Sequence, residues 1–342
     1  MGINTSESAI RLIQKLNVPT PMKTQDPFLF SVYHKDLYPK GNEKMEAPRI
    51  GNGSDFGVNQ PYRMYHGEKI PGFPQHPHRG FETITCTLEG LVDHTDSLKS
   101  SGRYGNGDLQ WMTAGKGIVH GENFPLLNID KPNPLRFFQI WLNLPSKSKM
   151  VQPAQLMHWS ENVKRYESND KLVKVVVWAG EIFGVKALEP IENSWAKDPN
   201  NDVNIWFFTL KPGAKVTIPN AKNSASTRSL YFVEGKEMRL ASKLIDSSTL
   251  VELDATFEVE VENIGTDESE FLILQGKPIG EPVVQQGPFV MNKEEEIQQT
   301  FSEYRKTRFG GWPWEQDAVI FPRETGRFIS DGKTSQYPPK KI

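Results

Sequence analysis

Histidine is missing from the latter half of this 342-residue chain: His34, His66, His76, His78, His94, His120 and His158 are all seven, and all precede residue 159. A histidine-rich metal site therefore belongs to the first half or nowhere. Cysteine is nearly absent as well. The single Cys86 excludes an intramolecular disulfide and a thiolate metal cluster, and it is expected as a small core residue rather than a redox sensor. No apolar run reaches the ~20 residues that span a bilayer, and no basic stretch followed by an apolar one opens the chain as a secretory signal would. Charge of one sign is lacking too. With 40 Lys and Arg against 42 Asp and Glu the net charge is -2, and no run makes a cationic stripe, so direct nucleic-acid binding is not expected. The expected setting is reducing and cytoplasmic, with the nucleus also open if the source is eukaryotic. A monomer is the expected state.

Pro (25) and Gly (27) are plentiful and favour many turns and short elements. The length exceeds what one core usually serves, so two domains are expected. From Phe28 onward, short β-type runs are broken by Gly, Pro, Asn and Asp; in "FETITCTLEG", Ile84, Cys86 and Leu88 alternate with Thr83, Thr85 and Thr87. A second β-rich set follows in "KLVKVVVWAG", "NIWFFTLKPG", "RSLYFVEGK", "ATFEVEVENIG" and "SEFLILQGKP". The predicted order is an N-terminal extension (1–27), a β domain (28–145), a linker (146–170), a second β domain (171–290), and a helix with a surface tail (291–342). The helix is expected in "NKEEEIQQTFSEYRKTRFG", capped by Asn292, ended at Gly310, with Ile297, Phe301 and Tyr304 on its packed side. At the start, Gly2 and Ser6 fit a myristoylation pattern, and Ile10, Leu12, Ile13 and Leu16 suit a short amphipathic helix.

Two short spacings carry the chemistry. His76 and His78 are two apart, as are His120 and Glu122, and in a strand such pairs point to one face. On facing strands they would place three imidazoles and one carboxylate in one interior, leaving a divalent ion positions for water, substrate or dioxygen. Without thiolates a cysteine-rich structural zinc site is excluded, and calcium or magnesium would want mostly oxygen. Iron, manganese, nickel, copper and zinc remain. Glu82 competes for a ligand role if the strand runs straight through Arg79-Gly80, and His94 with Asp96 forms a further same-face pair. Here His94 is read as structural or as a support to the ligands.

At these residues the sequence resembles the pirin family. "HPHRGFET", "GDLQWMTAGKGIVHGE" and "GEPVVQQGPFVMNKEEEIQQ" match its three signatures in order, and the resemblance covers roughly residues 65 to 310. It implies an all-β bicupin: two jelly-roll β-barrels face to face, a metal in the first only, and a C-terminal helix. It also implies His76, His78, His120 and Glu122 as ligands of one divalent ion, iron(II) in the first place, with Glu82 behind them. Pirin relatives are similar to cupin dioxygenases. The implied activity is a quercetin 2,3-dioxygenase type of ring opening of a flavonol or related polyphenol, with loss of carbon monoxide and with Glu122 or Glu82 as base. The alternative it implies is a non-enzymatic, redox-responsive regulator of transcription that acts through protein partners.

Overall fold

The computed structural model describes residues 9–17, 20–48, 55–57 and 59–340; the Gly2 and Ser6 pattern lies outside them. The chain divides into two compact units. One combines residues up to 32 with 162–280, and the other combines 33–161 with 281–342. No helix among the described residues is long and apolar enough to cross a membrane.

The expected N-terminal helix is instead strand β1 (Ile10–Lys15), antiparallel to Thr249–Asp254. Ile10 and Leu12 are half-buried while Arg11, Ile13, Gln14 and Lys15 are exposed, the period of a strand at a sheet edge. So short a segment does not nucleate a helix by itself, whereas a waiting strand edge satisfies its backbone.

The histidine-bearing unit is built from β2 (Phe28–Tyr38), which runs across the division, β3 (Gly72–His78), β4 (Phe81–Glu89), β5 (Leu91–Asp96), β6 (Ser101–Gly105), β7 (Leu109–Thr113), β8 (Ile118–Asn123), β9 (Asn133–Asn143) and β10 (Ala154–His158). One sheet has the order β10-β7-β4-β9-β2. The other runs from Ser335–Gln336 and Phe328–Ser330 through β6, β5 and β8 to β3. The tail therefore adds no domain but joins this sheet, with Ile329 opposite Gly102.

Arg103 is the reason the tail stays. Its guanidinium is fully buried and offers five N–H donors. Two go to Asp93, both at 2.7 Å. The others go to the carbonyls of Phe321 (2.8 Å), Pro322 (2.8 Å) and Thr325 (2.9 Å). Asp93 in turn accepts the Phe321 N–H at 2.8 Å.

Helix α1 (Glu294–Thr307) begins one residue later than expected, with Lys293 rather than Asn292 at its N-cap. The carboxylate of Glu296 accepts the N–H groups of both Asn292 and Lys293 at 3.0 Å. The Asn292 side chain is engaged elsewhere, donating to the Pro282 carbonyl at 2.8 Å. At the far end Arg308 takes a left-handed conformation and stops the helix before Gly310. Ile297, Phe301 and Tyr304 pack on Phe289 and Met291, as the spacing predicts.

In the other unit, β1 edges a seven-stranded sheet whose order continues Thr249–Asp254, Thr227–Glu234, Ser269–Gly276, Asn204–Leu210, β12 (Val173–Ala179) and β11 (Lys164–Glu167). A four-stranded sheet accompanies it, and Val175, Phe208, Leu230, Phe232, Phe271 and Ile273 are wholly buried in its core. Burial alternates along "VEVEN", with Val259, Val261 and Asn263 buried. Residues 146–170, read from sequence as a linker, hold β10 and β11, each paired to a sheet edge; edge pairing is made by backbone and leaves little trace in side-chain pattern.

Two outcomes follow from the buried polar groups. Arg103→Ala leaves Asp93 uncompensated and should cost about 3–5 kcal/mol in equilibrium denaturation. His34 is stacked on Phe137 at 4.3 Å, and burial, aided by Arg63, pushes it down to about 3. The folded state refuses a proton that the unfolded chain takes up near pH 6.5. The stability His34 confers is thus fully present above that pH and is lost as pH falls towards about 3. His34→Phe should flatten that acid decline in pH-dependent denaturation.

Candidate metal centre

Register brings the histidines together. β3 and β8 are antiparallel with His76 opposite His120 and His78 opposite Ile118, and directly opposed side chains share a face. The ring centroids form a triangle: His76–His120 4.4 Å, His76–His78 4.8 Å and His78–His120 4.9 Å. One ligand nitrogen from each lies within 4.8 Å of the others.

The protonation states suit a metal. Desolvation pushes His76 down to about 4 and takes His78 and His120 well below their ordinary value, so all three rings are neutral at physiological pH, the form that ligates. His76 Nδ1 sits 2.9 Å from the Pro74 carbonyl. A carbonyl only accepts, so Nδ1 carries the proton and Nε2 keeps its lone pair for a ligand. Neither ring nitrogen of the buried His120 has a hydrogen-bond partner, a costly state for a buried polar group unless something else occupies it. The three imidazoles form a group able to hold a transition-metal ion.

Glu122, expected as a fourth ligand, lies outside this group. It follows His120 by two on β8 and faces His94 across β5. Its carboxylate accepts from Gln139 Nε2 at 3.0 Å, with the hydroxyls of Thr85 (3.1 Å) and Tyr104 (3.3 Å) near its other oxygen. Burial pushes its carboxyl up, against those hydrogen bonds and the nearby His94. His94 is buried, 5.4 Å from the His120 ring, with its Nε2 3.4 Å from Asp96 Oδ2.

Glu82 is not brought to the histidines. β3 ends at His78, Gly80 turns the chain at φ +89°, and β4 starts in the other sheet. The strand parity that would have carried Glu82 to the ligand face is thereby reset. Thr85 and Gln139, which face Glu122, are opposite one another on β4 and β9. Glu82 is of the other parity and accepts from Trp111 Nε1 (3.0 Å) and Thr113 Oγ1 (2.7 Å). Cys86 shares that parity and is fully buried.

Sequence reasoning passed over the groups that hold the loop behind His78. Arg79 Nε donates to the Lys116 carbonyl at 2.6 Å, Nη1 to Thr300 Oγ1 of α1 at 3.2 Å, and Nη2 pairs with Glu303 at 2.8 Å. Its guanidinium lies 4.4 Å from the Phe309 ring centre. Lys149 is buried and donates to Asn143 Oδ1 (2.7 Å) and the Gly80 carbonyl (2.8 Å); burial pushes it down to about 8. Gly80 is obligatory, since a Cβ there would meet the Val290 carbonyl oxygen at 1.8 Å. The Arg inside "HPHRG" was the available signal. Trp141, half-buried, adds an aromatic ledge 5.2 Å from His78.

Family models described as Pirin and as Pirin C-terminal cupin domain match residues 11–142 and 205–310. Pirin-1 of Arabidopsis thaliana is 39% identical over 245 residues, 70% of this chain and 78% of that protein. Pirin of Homo sapiens is 36% identical over 251 residues, 72% of this chain and 80% of that protein. Among solved structures, a quercetin 2,3-dioxygenase from Acinetobacter baumannii superposes with a TM-score of 0.72 at 24% identity, covering 89% of this chain and 98% of that one. That likeness shows a shared two-cupin fold.

After chelator treatment and reloading with a divalent transition ion, elemental analysis should find about one ion per chain. The bound ion should raise the unfolding temperature in a concentration-dependent way. In His120→Ala both the ion and the metal-dependent rise should vanish; a rise that persists in the variant would place the ion elsewhere.

Proposed function

This chain belongs to the pirin family, and from that premise we propose that it is a metal-dependent oxygenase of the quercetin 2,3-dioxygenase kind, acting on a flavonol or related polyphenol. The observation that carries this reading is the cluster of three neutral imidazoles, with Glu122 two residues beyond His120 on the same strand. His76, His78 and His120 would hold one divalent ion, iron(II) first, with Glu122 as fourth donor; nickel, manganese, copper or zinc suit the same donors. When bound, the ion supplies a Lewis-acid and redox centre with positions open to substrate and dioxygen. The fold-level likeness to a quercetin 2,3-dioxygenase supports placing this chemistry first.

The remaining roles fall to the chain itself. Glu122, with its carboxyl raised by burial, is suited to take the proton of a substrate hydroxyl. Gln139, Thr85 and Tyr104 orient it, so that deprotonation needs no rearrangement of the carboxylate. Trp141, tilted against Phe81 with ring centroids 4.3 Å apart, offers a flat polyphenol a face to lie on next to His78. Glu82, held on the far side of β4, has no part in this scheme.

Iron-loaded protein should consume dioxygen with quercetin and release carbon monoxide in equal amount. His120→Ala and Glu122→Gln should lower kcat/KM by about 10²–10⁴-fold. Trp141→Ala should raise KM more than it lowers kcat. Absence of turnover with every polyphenol and each of the five metals would overturn the proposal. Capture of a protein partner that follows the ion's oxidation state would then favour the regulator of transcription.

A further inference from the structure

The turn after His78, the end of β9 and the segment before α1 meet at one buried ammonium. Lys149 is 1% exposed. Its three N–H donors go to Asn143 Oδ1 at 2.7 Å, the Gly80 carbonyl at 2.8 Å and the Val290 carbonyl at 3.3 Å. All three acceptors are neutral, and Glu281 and Glu296 favour the charge only through space. Burying an ammonium among neutral acceptors costs stability, so packing alone would be better served by an apolar side chain. What the ammonium adds is position, since three donors on one atom fix three segments at a common point.

That point lies behind an imidazole of the metal centre. Val284–Gln286 and Phe289–Met291 form a hairpin, and its second strand runs beside Arg79. The Val290 N–H donates to the Arg79 carbonyl at 3.0 Å, and the Arg79 N–H to the Pro288 carbonyl at 3.3 Å. The Pro288 carbonyl also approaches the His78 ring. Burial first and then His76 push that imidazole down, while this carbonyl acts the other way. A carbonyl only accepts, so it favours the ring N–H turned towards it and leaves the other nitrogen for an ion, as the Pro74 carbonyl does for His76. The alignment is imperfect, since His78 Nδ1 makes no hydrogen bond, so small shifts of turn or hairpin decide how carbonyl and ring meet. Lys149 sets both, holding Gly80 on one side and Val290 on the other.

We propose that Lys149 is a positioning residue of the metal centre. Its ammonium locks the Gly80 turn against the hairpin and so sets the angle at which His78 meets the ion. This role rests on His76, His78 and His120 holding one ion, and stands whether or not the chain is an oxygenase.

The test uses the full-length protein loaded with copper(II), whose electron paramagnetic resonance counts the imidazole nitrogens around the ion. The wild type should show three, one from each ring of the group. In Lys149→Met, which keeps the bulk of the side chain and removes its donors, copper(II) affinity should fall about 10–100-fold and the count should drop by one. Asn143→Ala, which takes one acceptor from the ammonium, should move both in the same direction and serves if Lys149→Met does not fold. Phe271→Leu, in the core of the histidine-free unit, should lower the unfolding temperature and leave affinity and count unchanged. Wild-type affinity and count in Lys149→Met or Asn143→Ala would overturn the proposal, as would an equal loss in Phe271→Leu. Wild-type protein that holds copper(II) without imidazole nitrogens would overturn the reading of the metal centre, and this role with it.

Discussion

The alignment of His76 with His120 across β3 and β8 is the constraint on which the rest of this molecule turns. That single register sets three imidazoles on one face within reach of one ion. A slip of β3 by one residue would turn His76 and His78 to the face opposite His120. The neighbouring strand extends the same face, because β5 sets Asp96 opposite His120 and His94 opposite Glu122. Three adjacent strands thus present four histidines and two carboxylates to one side, where desolvation holds His76, His78 and His120 below the ordinary histidine value.

The register is held from both sides of the sheet. On the reverse face, alternate residues of the same strands bind the C-terminal tail. Gln75 Nε2 donates to Asp317 Oδ1 at 2.7 Å, Asn123 Nδ2 to the Val319 carbonyl at 3.1 Å, and Asp93 accepts from Phe321. Trp314 Nε1 reaches the Asp96 carbonyl at 2.9 Å. At the end of β3, Arg79 ties the turn after His78 to α1, and Lys149 ties it to the segment before that helix. Residues near 300 and 320 therefore support a histidine cluster built near 76 and 120. The link between these distant stretches is geometric: they fix backbone positions, and the backbone fixes the imidazoles.

Much of this was legible because strand periodicity is simple. Pairs two apart marked His76, His78 and His120, which the structure groups, and Glu122, which lies outside that group; the absence of histidine beyond His158 confined such a cluster to one unit. The resemblance to pirins supplied the fold class, which the family matches and the two sheet systems bear out. Glu82 could share the histidine face only if the strand ran unbroken, and the turn at Gly80 breaks it. The failures occurred where backbone partners decided the outcome. The segment from Ile10 to Lys15 was given a helix because the edge awaiting it lies some 240 residues away in sequence. Asn292 looked like the helix cap, but Glu296 reached back and took that function. Arg79 and Lys149 could not be singled out, since nothing in composition says that a particular Arg or Lys will be buried.

The most direct test is a crystal structure of the chain soaked with a transition metal, with diffraction recorded at that metal's absorption edge. The account predicts one strong anomalous peak, enclosed by the rings of His76, His78 and His120 and next to the Glu122 carboxylate. A peak elsewhere, or none after exposure to iron, nickel, manganese, copper and zinc, would contradict it.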